Sequence, residues 1–269
     1  MNSKNQLDES LKFVAKHYKQ GIFNPDKTWP KITGKKSYSI IQPALLLRIA
    51  SVAVVLVAVG LFYYHTNKST TITAQNISTF AKLPDKSEIT LQPGAKLSYD
   101  KSFNKSVRNV SMNGNISFSV AHNKQKPFIV HTQNTQIKVL GTVFDINSNH
   151  KITELKIISG KVRFAPDSVP VSFVCTKNMY AKYSADLKEI MINSPEWSCA
   201  LSKNTNKIQF RNAPLNEVCN VLNQYYGTKI TLSKQNEILK LTTTFQNKSI
   251  SEAISIINLT LDIHLTNSL

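Results

Sequence analysis

"KPFIVHTQNTQIKVLGTVFDI", residues 126–146, decides how this chain is read. Two apolar, β-branched runs flank a polar spacer, and a lone Gly141-Thr142 interrupts the second run. Period-two alternation puts Ile137 and Val139 on one face of a strand. Leu140, Thr142, Phe144 and Ile146 fall on the other, so the hydrophobic phase flips beside the glycine. A phosphate cradle would need several glycines and a helix directly after them, and the sequence offers neither. A glycine inside a strand marks a bulge or a bend that re-aims side chains. Gly141-Thr142 is strand architecture.

The same grammar extends outward. "EITL", "KLSY", "NVSM", "ISFSV", "LKII", "KVRF", "MYAKY" and "EIMI" are short alternating runs between Lys82 and Ile192. Pro84-Asp85, Pro93-Gly94, Asn113-Gly114 and Ser159-Gly160 supply turn signals between them. Residues 82–193 therefore read as an all-β domain, built as a β-sandwich or a β-solenoid.

Trp197 and the polar "SKNTNK" mark a break, so 194–206 reads as a linker. Beyond it, "KIQFRN" is a strand and Pro214 opens a helix where its missing N–H costs least. Leu215, Val218, Leu222, Tyr225 and Tyr226 share one face of that helix, and Gly227 ends it. "KITLS" and "LTTTFQN" are strands, and Ser249 to Glu252 form a capping-box pattern. Ile250, Ala253, Ile254 and Ile257 face inward on the helix that follows, and "DIHL" reads as a last strand. Residues 207–269 thus predict a small α/β module in the order β-α-β-β-α-β.

Toward the N-terminus, residues 45–64 form an apolar span, "LLLRIASVAVVLVAVGLFYY", with Arg48 near its start and aromatics at its end. That pattern predicts a membrane-spanning helix. Residues 1–48 carry nine basic and three acidic side chains, which places the N-terminus in the cytoplasm and the rest in the periplasm. The expectation is a single-pass protein of the cytoplasmic (inner) membrane in contact with lipid. It has a cytoplasmic segment at 1–44, a linker at 65–81 and two external domains. Within the cytoplasmic segment, Leu7, Leu11, Val14 and Tyr18 recur at helical spacing before Gly21. Such a short piece cannot build a full core. Leu11, Val14, Tyr18 and Trp29 are the candidate partner-binding residues.

The formal net charge of +17 comes mostly from lysine spread along the chain, with only Arg48, Arg108, Arg163 and Arg211 as arginines. Nucleic-acid binders cluster their cations on one element, often with arginine for bidentate contacts. No direct nucleic-acid partner is expected. Cys175, Cys199 and Cys219 have neither CxxC nor His-spaced neighbours, so they read as partly buried thiols rather than a disulfide framework or zinc site. The carboxylates do not pair at acid–base spacing, the histidines are isolated, and GxSxG, HExxH and Walker sequences do not occur. The reading is of a non-enzyme that takes no cofactor.

The series "LPDKSEITLQPGAKLSY", "VRNVSMNGNISFSVAHNKQKPFIVHT", "IKVLGTVFDI" and "LKIISGKVRF" resembles the external domain of the FecR family, over Leu83 to Phe164. Lys86 stands where that family usually has Gly, Ala95 where it often has Ser, and Asn115 where Glu is common. "IQFRNAPLNEVCNVLNQYYGTKI" is similar to the C-terminal domain of Bacteroidetes members, itself akin to the short N-terminal domains of secretins and TonB-dependent transducers. The resemblance implies a transmembrane anti-sigma factor. Its cytoplasmic segment would bind an extracytoplasmic-function sigma factor. Its periplasmic domains would take a signal from the N-terminal signalling domain of a TonB-dependent outer-membrane receptor. The alternative is a structural module of an envelope assembly, whose cytoplasmic tail would bind nothing.

Overall fold

In the computed structural model, which describes residues 3–19, 53–60 and 69–268, the chain divides into two units, Met1–Leu61 and Phe62–Leu269. The first contributes helix α1 (Ser3–His17) and a helical stretch at 53–60. The second begins with strands β1 (Thr70–Thr73), β2 (Thr79–Lys82), β3 (Glu88–Leu91), β4 (Lys96–Tyr99), β5 (Arg108–Ser119), β6 (Phe128–His131), β7 (Thr135–Val139), β8 (Val143–Ser148) and β9 (Ile152–Ser159). It continues through β10 (Lys161–Pro166), β11 (Phe173–Thr176), β12 (Tyr180–Ser184), β13 (Glu189–Asn193), β14 (Ser198–Ser202) and β15 (Lys207–Pro214). Last come α2 (Leu215–Tyr226), β16 (Lys229–Thr231), β17 (Lys240–Gln246), α3 (Ile250–Leu261) and β18 (Thr266–Ser268).

The expectation of a membrane-anchored chain is corrected here. Among the described residues no helix is long and apolar enough to cross a membrane. A bilayer core of about 30 Å needs about 20 helical residues. The described helical part of the 45–64 segment, 53–60, reaches only about 12 Å at the usual rise per residue. The remainder of that segment lies outside the described residues. The placement in the cytoplasmic membrane, with a cytoplasmic N-terminus and periplasmic domains, falls with the span. What the chain does show is mostly one large body of β-sheet with few helices.

β5 organises that body. Its first half pairs with β4 and, in parallel, with β6. Its second half, from Gly114 onward, pairs with β3 and β8. One sheet thus runs β11-β10-β7-β6-β5, and another runs β5-β8-β9-β12-β13-β14-β15-β17. Side chains at even positions of β5, from Arg108 to Phe118, point inward throughout, Gly114 apart. Phe118, on the second half, meets Phe128 of β6 edge-on at 6.2 Å and stacks on Phe144 of β8 at 5.0 Å. The two sheets therefore share one apolar core. Each large side chain fully buried there contributes about 1.5–3 kcal/mol.

Asn113-Gly114 reads from sequence as a hairpin turn, yet it lies in the middle of a twelve-residue strand. Gly114 has φ +94, and a Cβ there would sit 2.7 Å from Ala95 Cα. The glycine lets the strand leave one sheet and enter the next over the buried Ala95.

The chain crosses between sheets again where the opening stretch flips phase. β7 belongs to one sheet and β8 to the other, with Gly141 between them. A Cβ on Gly141 would meet His122 Cα at 2.6 Å, so the close approach demands glycine. Ser159-Gly160 is a third crossing: β9 and β10 do not pair with each other but with strands of different sheets. Gly160 packs on Gly141 and Thr142, and Thr142 donates its hydroxyl to the Lys161 carbonyl at 3.0 Å. Ile137, Val139, Thr142, Phe144 and Ile146 are all buried, whereas Leu140 is left exposed at the crossing.

Arg108 is the buried polar tie of this region, at 1% exposure. Its Nη1 donates to Asp85 Oδ2 at 2.9 Å and to the Ala121 carbonyl at 2.8 Å, and its Nε donates to the Lys126 carbonyl at 2.8 Å. The guanidinium also lies 5.4 Å from the centre of the Phe128 ring. Asp85 accepts in addition from the Ser87 N–H and hydroxyl. The β2–β3 turn and the loop before β6 are thereby fastened to β5. Lys86, in that turn, has φ 71, a left-handed backbone that a glycine would adopt without strain.

Residues 207–268 run strand, helix, strand, strand, helix, strand. They do not close on a sheet of their own. β14, inside the stretch read as a linker, pairs with β13 and β15, and β15 pairs with β17, so the sheet continues without a break. β16 and β18 form a separate two-stranded ribbon. Leu215, Val218 and Leu222 of α2 are buried, while Tyr225 and Tyr226 at its end are half-buried. Pro214 caps α2 rather than entering it, and Gly227 ends it in the left-handed region at φ 69. Ser249 caps α3 through a full capping box with Glu252, whose carboxyl is held down at about 2 chiefly by the Ser249 N–H.

Candidate functional site

Of the sequence-predicted residues, Leu11 and Val14 lie on α1 and Tyr18 directly follows it, its N–H bonded to the Val14 carbonyl at 2.8 Å, and the stripe they form is exposed. Leu7, Leu11, Val14 and Tyr18 follow spacings of four, three and four, which bring them onto one side of a helix. All four are exposed: Leu11 at 60%, Val14 at 59% and Tyr18 at 72%. Asp8 and Lys12 pair one turn apart at 3.5 Å, a solvated contact worth little. Lys16 and His17 close the last turn, where cations favour the helix dipole. Trp29 lies outside the described residues. Phe13 is the residue that sequence reasoning missed. It sits one position off the stripe, is 65% exposed, and packs its ring on His17 at 4.3 Å, with His17 Nδ1 donating to the Phe13 carbonyl. Its signal was an aromatic next to a polar neighbour rather than within the apolar repeat.

The three thiols are sequestered. Cys175, Cys199 and Cys219 are free and buried. Burial pushes the Cys219 thiol up to about 11 and the Cys175 thiol up to about 12, and raises that of Cys199 as well. The charge of Glu217 adds to the effect at Cys175 and Cys199. Thiolate is the reactive form, so these thiols are inert near neutrality. A thiol with a raised folded pKa stabilises the fold fully below its unfolded value, near 9, and that contribution disappears as pH rises through the folded value. The thermal midpoint is therefore expected to fall between pH 9 and 11, and to fall less in a Cys175→Ala/Cys219→Ala variant. Calorimetry across that range checks it; equal slopes would mean the thiols stay neutral in neither state preferentially. Among the described residues no three of His, Cys, Asp and Glu come together as a metal ion would require.

The FecR protein family matches residues 69–163, and the FecR C-terminal family matches residues 207–268, together more than half the chain. The chain belongs to the FecR family, the sigma-factor regulators that its sequence blocks resemble. Two crystal structures of a "putative anti-sigma factor" from Parabacteroides distasonis are similar to it. One shows 22% identity and a TM-score of 0.44 over 73% of this chain and 93% of its own. The other shows 20% identity and a TM-score of 0.44 over 74% and 98%. Membership rests on the two family matches. Comparison with curated proteins gives no significant match.

Proposed function

We propose that this chain is an anti-sigma factor that holds an extracytoplasmic-function sigma factor through α1. Leu11, Val14 and Tyr18 form the contact face, with Trp29 as a further anchor. Family membership supports the kind of partner. The observation that carries the place is the stripe itself: Leu11 and Val14 on one side of α1 and Tyr18 just past its end, all more than half exposed. An apolar helix face of this kind is read by a groove on another protein.

On this reading the second unit receives the signal. The resemblance of residues 207–269 to transducer domains supports the N-terminal signalling domain of a TonB-dependent receptor as its source. Such a ligand acts only by binding the sigma-holding and sigma-releasing states with different affinity.

The test is binding of the full chain to each of the host's extracytoplasmic-function sigma factors, with and without Leu11→Asp and Val14→Asp together. Loss of a central apolar anchor costs about 2–4 kcal/mol, so the double variant is expected to bind at least about 100-fold more weakly. Circular dichroism would verify that its helix content is unchanged. A variant that binds as the parent does would remove α1 from the interface. If no sigma factor binds the parent, the structural-module reading takes its place.

A further inference from the structure

We infer that the outer side-chain face of β7, β10 and β11 is a docking surface for an acidic protein segment that also carries apolar residues. The register lays one row across four strands: Ile129 opposite Lys138, Lys138 opposite Arg163, and Arg163 opposite Val174. Two cations face each other directly, flanked by an apolar side chain at each end. Lys161 lies on the same face of β10 two positions from Arg163. Leu140 and Val174 are 40% and 42% exposed, and with the three cations they line a groove of about 340 Å³.

Like charges opposite one another across a strand pair destabilise a sheet. Among the described residues no ion pair offsets them here. β6, β7, β10 and β11 contain no Asp or Glu. Among the described residues none of Lys138, Lys161 and Arg163 has an ion-pair partner. Arg163 does reach the Ser172 hydroxyl at 3.2 Å, which holds its head over the groove. A carboxylate-rich ligand would relieve this repulsion, and apolar residues beside its carboxylates would cover Leu140 and Val174. The open edge of β11 is partly occupied. At Ser172 its backbone is bonded to Gln224, and at Thr176 to Met179. Nucleic acid suits the site less well, because the groove presents one arginine and no aromatic ring for a base to stack on. The surface lies wholly in the second unit and stands whatever α1 binds.

The experiment uses the full chain and a fluorescein-labelled peptide of repeated Asp-Glu-Leu, read by anisotropy at low and at physiological salt. Lys138→Glu/Arg163→Glu is expected to weaken binding at least about tenfold more than the remote pair Lys151→Glu/Lys234→Glu, which changes net charge equally. Leu140→Ser/Val174→Ser should weaken it with charge unchanged. The single Lys138→Glu, which places a carboxylate opposite Arg163, should raise the thermal midpoint while losing the peptide. Equal losses from the near and remote charge reversals would overturn the proposal. So would a midpoint that does not rise in Lys138→Glu. A patch that takes anionic vesicles or a single-stranded oligonucleotide, but not the peptide, would overturn it too.

Discussion

Arg108→Met should cost the second unit about 3–5 kcal/mol, the usual penalty for removing one partner of a buried ion pair. The methionine fills much of the arginine's volume, so the loss is not chiefly a cavity. It is the Asp85 carboxylate, 4% exposed, left with only Ser87 to satisfy it, together with the Ala121 and Lys126 carbonyls deprived of their donor. Pairing the change with Asp85→Asn should recover part of the loss, because no uncompensated charge then remains. Urea denaturation of the single and double variants measures both terms. A single-variant loss under about 1 kcal/mol would mean that water reaches Asp85 and the tie is dispensable.

Gly114→Ala should destabilise by about 2–4 kcal/mol, from two sources that a second substitution separates. One is backbone: φ +94 is poorly open to a residue with a Cβ. The other is contact with Ala95, whose own Cβ would lie 2.9 Å from the new methyl group. Ala95→Gly in the same chain removes part of the clash and none of the backbone strain. The double variant should therefore recover only partly, to a stability between parent and single variant. Full recovery would show that the backbone at 114 relaxes freely. No loss in Gly114→Ala would mean that β5 does not bend between sheets at this residue.

Much of the second unit was legible because its strands are short and strictly alternating. β3, β4, β8, β12 and β13 fall on alternating runs that bury Ile89, Leu91, Leu97, Phe144, Ile146, Tyr183, Ile190 and Ile192, with Met191 left exposed, and Ser249 with Glu252 announced the start of α3. Local pattern failed wherever the partner of a strand mattered. Asn113-Gly114 and Ser159-Gly160 carry hairpin chemistry, yet neither joins strands that pair with each other. A dipeptide sets the backbone angles and says nothing about which strand lies alongside. Alternation groups Leu140 with Thr142, Phe144 and Ile146, yet it is exposed while they are buried, because Leu140 keeps the outward phase of Gln136 and Lys138 on β7 and the period breaks at Gly141. The apolar run at 45–64 has the hydropathy of a span, but among the described residues no helix is long and apolar enough to cross a membrane. For the candidate site, spacing alone put Leu11, Val14 and Tyr18 on one stripe.

By itself, then, the sequence determined most of the strands, though not β14 or β18, the inward and outward sides of many of them, the Gly227 end of α2, the Ser249 start of α3 and the apolar stripe of α1. Each of these depends on residues within a few positions of one another, where backbone geometry and the period of burial are local. The tertiary structure alone decided that one strand serves two sheets and that the C-terminal strands extend the same sheet. It alone set Arg108 against Asp85, and Lys138 against Arg163. Those pairings join residues 20 or more positions apart, and only the register of the folded sheet and the burial of its core bring them within reach.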